Sequence, residues 1–163
     1  MSQLLAWAEA IEQSRVGLAL AESALAFPLI EGAHLLGLAL SFGLLAIADL
    51  RLLGLLLRQV PAHQVLRQLR PWIFGGFALT FITGGLLFWS EAAKILFNPA
   101  FVAKLVLTVL ALANALVFET RLAPRAIEWG QALRLPTPVR LAGLASLTLW
   151  SGVLITGRLI PYL

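Results

Sequence analysis

Of the 163 residues, 60% are hydrophobic and only 12% charged, against about 45–50% apolar and about 25% charged in a soluble domain, so a soluble globular protein is excluded and an integral membrane protein is indicated. The net charge of +4 does not point to nucleic acid, because the basic residues are scattered beside apolar runs and no nucleic-acid motif is present. With no cysteine and one methionine, Met1, the chain excludes disulfides, thiolate sites, iron–sulfur clusters, covalently attached haem and thioether copper sites; His34 and His63 remain as the transition-metal ligands.

No repeat, linker or low-complexity tract divides the chain, and a single membrane domain over residues 1–163 is expected. In "LLAWAEAIEQS" the residues Leu4, Trp7, Ala8 and Ile11 share one helical face while Glu9, Glu12 and Gln13 lie elsewhere, the pattern of an amphipathic helix in the membrane interface. Residues 1–27 read as mature sequence, since Glu9 and Glu12 replace the positive charge of a signal peptide and Glu22 interrupts its apolar run. Four stretches then approach or exceed the ~20 residues of a helical crossing. They run from Pro28 to Leu57, from Pro71 to Leu96, from Phe101 to Phe118 and from Val139 to Pro161. Pro28 suits a first helical turn, and "NPA" at 98–100 supplies a cap and first turn for the third span. The expected fold class is therefore all-α, an integral membrane four-helix bundle.

Orientation follows from basic residues. The flanks between spans one and two and between spans three and four hold Arg51, Arg58, Arg67, Arg70, Arg121, Arg125, Arg134 and Arg140. The other side has Arg15, Lys94, Lys104 and Arg158 among Glu9, Glu12, Glu22, Glu31 and Glu91. The positive-inside rule places both termini outside, in what reads as a bacterial inner membrane.

Ionisable groups inside a bilayer are costly and usually face the bundle interior. His34 falls about two turns into the first span from the outer side, and Lys104 about one turn into the third, so the two can share a layer. Arg158 and Glu91 end their spans on that side, and Glu31 precedes His34 by a turn. Gly37 and Ser41 continue the His34 face, and Thr80, Thr83 and Gly84 cluster on the second span. Small residues there admit close helix packing, the leading reading for the glycines, or leave space for a flat cofactor. Two roles are open to His34: an interhelical hydrogen bond from a neutral imidazole, or ligation. Lys104 taken alone snorkels to headgroups. Asp49 and Arg51 are expected to cap, pair or anchor the inner end of the first span, and His63 to be a solvated loop residue.

The stretches "AHLLGLALSFGLLAIADLRLLG" and "NPAFVAKLVLTVLALANALVFE" resemble the four-helix membrane proteins around the HemJ-type protoporphyrinogen oxidases and the copper-resistance protein D-like domains. In these a histidine begins the first span and an "AKLxL" lysine the third. Over nearly its whole length, through "HLLGLAL", "DLRLLG", "TGGLLF", "NPAFVAK" and a terminal "GR", the chain is similar to a bacterial membrane domain family of uncharacterised function. The oxidase resemblance implies b-type haem between the spans, with His34 and Lys104 matching the essential histidine and lysine. The chain departs from the oxidases where it reads "ANALVFE" in place of a tyrosine–histidine pair and "ADLRL" in place of a proline–arginine element.

Imidazole is a standard axial ligand of haem. On this reading His34 binds the iron, and Lys104 is either the opposite ligand or a partner of a propionate. Arg158 is the preferred propionate partner by its forked geometry. Gly37, Ser41, Thr83 and Trp89 border the cofactor, Phe88 beside them, and Glu31 and Glu91 are the candidates for proton transfer. One buried histidine without sulfur makes a poor copper site, so haem b is the expected cofactor. The expected function is redox chemistry in the outer half of the bilayer, with a quinone or a hydrophobic tetrapyrrole as partner and lipid as surroundings, in a unit small enough to form homo-oligomers. Two alternatives stand beside it: a cofactor-free transporter or permease subunit using His34, Lys104 and Glu91, and an accessory scaffold.

Overall fold

A computed structural model describes residues 2–129 and 135–163; Met1, and Arg134 among the inner-flank arginines, lie outside the described residues. Seven α-helices occur among them: α1 (Ser2–Glu12), α2 (Arg15–Glu22), α3 (Ala26–Leu53), α4 (Ala62–Ser90), α5 (Ala92–Ile95), α6 (Pro99–Val117) and α7 (Thr137–Leu159). A π-helical turn, Phe118–Leu122, and a 3-10 turn, Ala123–Arg125, extend α6, and a 3-10 turn, Ile160–Tyr162, ends α7. Four of these segments are long and apolar enough to cross a membrane, and no strand occurs among the described residues. The chain is an all-α membrane protein with a four-helix bundle preceded by short helices.

The boundaries of the spans differ from expectation where local chemistry outweighs composition. The first ends at Leu53, before the predicted Leu57, because Gly54 adopts a left-handed φ of 74° and closes the helix. Its amide donates to the Arg51 carbonyl at 3.0 Å and the Leu55 amide to that of Leu50 at 2.9 Å, the paired bonds of a Schellman cap. The second begins at Ala62, nine residues ahead of Pro71, which lies inside α4. Proline removes one intrahelical bond, but Ala62 and Val65 in the preceding turns are buried, and this packing carries the helix through. His63 is accordingly a half-buried residue of the first turn of α4, not a solvated loop residue. At the far end α4 stops at Ser90, and the residues up to Leu96 form the separate turn α5. The third span starts as expected: Asn98 Oδ1 accepts from the amides of Ala100 (2.9 Å) and Phe101 (3.2 Å), with Pro99 following.

The N-terminal segment forms two helices instead of one. Ser14 makes the corner: its hydroxyl donates to the Ile11 carbonyl at 2.6 Å and accepts from the Gly17 amide at 3.2 Å. A Cβ on Gly17 would lie 2.2 Å from the Glu12 carbonyl oxygen, so the corner needs glycine. Glu12 Oε2 accepts from the Ala93 amide (2.9 Å), which docks α1 on α5.

In the bundle α4 packs on α3, α3 on α7, and α7 on α6, while α4 and α6 make no comparable interface with each other. The α3–α4 seam is set by small residues. A Cβ on Gly37 would meet Thr80 Oγ1 at 2.6 Å and one on Gly76 would meet the Ser41 backbone nitrogen at 2.7 Å, so both close approaches need glycine. Leu52, Ala62, Phe118, Trp129 and Val139 form a core at the loop end of the bundle; Ala111, Trp150 and Val153 form a second one nearer its middle.

Candidate functional site

Antiparallel packing sets His34 of α3 opposite Thr80, Thr83 and Gly84 of α4. His34 Nδ1 lies 3.0 Å from the Thr80 carbonyl oxygen and 3.0 Å from Thr83 Oγ1. A carbonyl has no proton to give, and the Thr83 hydroxyl donates to the Leu79 carbonyl at 2.6 Å. Nδ1 therefore carries the proton and donates, and in the neutral ring the lone pair resides on Nε2. The ring edge fits against Gly84, where a Cβ would stand 3.0 Å from His34 Cε1. This explains in contact terms why the "TFITGG" segment has a threonine and a glycine side by side.

Lys104 is half-buried and lies along Gly157 of α7, where a Cβ would be 3.5 Å from both its Cε and its Nζ. Glu31 precedes His34 by three residues on α3, so the two are neighbours on the helix surface. Glu31 itself is exposed. The histidine, the lysine and the glutamate thus lie at the same end of the bundle, away from the arginine-rich loops.

Other residues of the expected site are engaged elsewhere. Gly37 and Ser41 serve the helix seam, Ser41 donating to the Gly37 carbonyl at 2.8 Å, so they border no open space beside His34. Arg158 is exposed and donates to the Tyr162 hydroxyl at 2.9 Å, its guanidinium 5.3 Å from that ring centroid. Trp89 Nε1 donates to Ser14 Oγ at 2.9 Å, which ties α4 to the α1–α2 corner. Glu91 pairs with Lys94 at 3.0 Å, and Phe88 stacks on Phe101 at 5.6 Å between centroids.

As a haem site, the group fits at the ligand. A metal-binding histidine almost always donates its other ring N–H to a carbonyl or carboxylate, which orients the ring and raises its basicity; the Thr80 carbonyl does this for His34. Lys104 is in no ion pair among the described residues. No cluster of three or more His, Cys, Asp or Glu that would hold a bare metal ion occurs among the described residues.

A second arrangement, at the opposite end of the bundle, was missed in the sequence. Where α4 and α6 stand apart, a cavity of about 330 Å³ lies between α3, α4, α6 and α7. Its walls are apolar, and Phe77 and Trp150 meet there with centroids 4.5 Å apart. Asp49, 3% exposed, faces it. Ser146 of α7 lies on the same wall, and Asp49 Oδ2 is buried without a partner. Asp49 therefore neither caps nor pairs at the span's inner end, correcting the expectation. Arg51, 1% exposed, does anchor the end: its Nε donates to the Val60 carbonyl at 2.8 Å across the α3–α4 turn. Arg70 of α4 and Glu119 of the π-helical turn form an ion pair of 3.0 Å at the cavity wall. The one available signal was Asp49 itself, a carboxylate in an apolar run.

A family model described as a family of unknown function, DUF6644, matches residues 4–163. No curated protein and no solved structure matches the chain.

Proposed function

The chain belongs to the DUF6644 family, and we propose from its own residues that it is a haem b-binding integral membrane protein with a redox role, in which His34 Nε2 would hold the iron. The observation that carries this reading is the anchored imidazole: Nδ1–H is held by the Thr80 carbonyl at 3.0 Å, which leaves the Nε2 lone pair as the ring's free donor. Haem supplies one-electron chemistry when bound, and the protein's part is to hold and tune it.

His34 would hold the iron with its orientation fixed by Thr80 and Thr83. Lys104, at the same end and lying along Gly157, would neutralise a propionate, or ligate as the free amine. Thr83 belongs to the layer of groups that orient the ligand. Glu31, exposed beside His34, is the better placed of the two proton carriers, since Glu91 is held by Lys94. By the positive-inside rule, the excess of arginine at the loop end favours that end in the cytoplasm of a bacterial cell, with the His34 end and both termini outside. The substrate or electron partner is then a lipid-soluble molecule reached from the membrane, a quinone or a tetrapyrrole.

The test is a set of oxidised and dithionite-reduced visible spectra of protein purified in mild detergent after expression with haem supply. Wild type is expected to show a stoichiometric b-type spectrum that is lost in His34→Ala. Lys104→Ala is expected to keep the Soret band if the lysine pairs with a propionate, and to change the spectral type if it ligates. A colourless wild type that stays colourless on haem titration overturns the reading and leaves the His34–Lys104 group as a transport path.

A further inference from the structure

The Asp49 cavity lies 15 residues along α3 from His34, about 22 Å at ~1.5 Å per residue, so it is a separate site and does not rest on the haem reading. Its volume, about 330 Å³, stands at the lower end of the range of small-molecule pockets, about 300–1,000 Å³. Apolar walls with a few fixed polar groups are the usual composition of such pockets.

Two of the polar groups on the wall offer acceptors. Asp49 Oδ2 is a buried acceptor with no donor. Asn114, also on the wall, commits its Nδ2 to the Ala142 carbonyl at 3.1 Å, which leaves its carbonyl oxygen, a second acceptor. Arg51 does not answer them: it is two residues from Asp49 on a helix, hence on a different face, and it is not on the cavity wall. An acyl chain would fill the apolar space but leave Oδ2 unpaired, a loss of the kind that native interiors avoid. Arg70 and Ser146 are donors on the same wall, but Arg70 is paired with Glu119 and neither partners Oδ2; what Asp49 lacks is a donor, and the apolar walls suit one carried by an apolar body.

We propose that this cavity binds a membrane-soluble ring compound bearing an O–H or N–H donor, with the ring against Phe77 and Trp150 and the donor on Asp49. The Arg70–Glu119 pair joins α4 to the π-helical turn that extends α6, at the end of these two helices away from the Phe88–Phe101 stack, and it bounds the site. The π-helical turn gives this wall two of its residues, the buried Phe118 and Glu119; such turns are frequent at functional sites.

The full-length protein in lipid nanodiscs is titrated with three probes of nearly equal apolar body, followed by tryptophan fluorescence: 4-hexylphenol, 4-hexylbenzylamine and hexylbenzene. At least one donor-bearing probe is expected to bind saturably, at least tenfold more tightly than hexylbenzene relative to lipid partitioning, and to fall to the hexylbenzene level in Asp49→Leu. Asp49→Asn separates the two sources of the donor: it abolishes the preference if the ligand is an ammonium and largely keeps it if the ligand is an alcohol. Hexylbenzene binding as tightly as both donor probes would mean an acyl-chain pocket and overturn the proposal. Absence of saturable binding would overturn it as well. The wild-type comparison of matched probes decides even if Asp49→Leu does not fold.

Discussion

Two ionisable side chains of α3 carry the account, and their environments differ in a way that makes separate predictions. His34 has its Nδ1 satisfied by Thr80, so the ring is stably placed. Asp49 has an unpartnered buried oxygen, and an unsatisfied buried polar group costs about 1–3 kcal/mol. Asp49→Leu is therefore expected to raise the resistance of the empty protein to denaturant by about that amount, measured as the shift in unfolding midpoint in detergent. A fall in stability would mean that the carboxylate is structurally satisfied. His34 was legible in the sequence because it breaks an apolar run near its start. Asp49 breaks the same run, but its place near the inner boundary pointed to capping, pairing or anchoring of the span; only the placement of α7, whose Ser146 shares the wall, puts it on a cavity.

At the scale of elements, the α3–α4 seam is the most exacting. A Cβ on Gly76 would come within 2.7 Å of the Ser41 backbone, and backbone cannot step aside as a flexible side chain does. Gly76→Ala is expected to cost about 1–3 kcal/mol, read as a lower thermal midpoint, whereas Gly75→Ala, with open space at its Cβ, is expected to leave the midpoint unchanged. Equal effects would contradict the packing described. The number and order of the spans, and the Asn98–Pro99 start of α6, follow from apolar length and capping chemistry present in the chain. The start of α4 does not: Pro71 carries the signature of a helix start, and only the burial of Ala62 and Val65 against other elements reveals the two turns before it. Nor does the α1–α2 corner, which Ser14 and Gly17 make through contacts that depend on Trp89 and Glu12.

Across the whole molecule the helices form a row closed unevenly, tight between α3 and α4 and loosely bridged between α4 and α6 by the Phe88–Phe101 stack and the Arg70–Glu119 pair. A polar group with a ring-nitrogen lone pair stands at one end, and an apolar cavity with a buried carboxyl at the other. The charge asymmetry that orients this arrangement can be tested because the chain has no cysteine. With Glu22→Cys and Thr120→Cys in intact cells, a membrane-impermeant maleimide is expected to label the first directly and the second only after permeabilisation; the reverse order would invert the orientation. The haem reading has its most direct test in chemical rescue. His34→Gly in nanodiscs is expected to take up no haem on titration, and added imidazole to restore the Soret band that wild type develops at stoichiometric haem. Equal haem uptake by wild type and His34→Gly without imidazole would contradict ligation by His34.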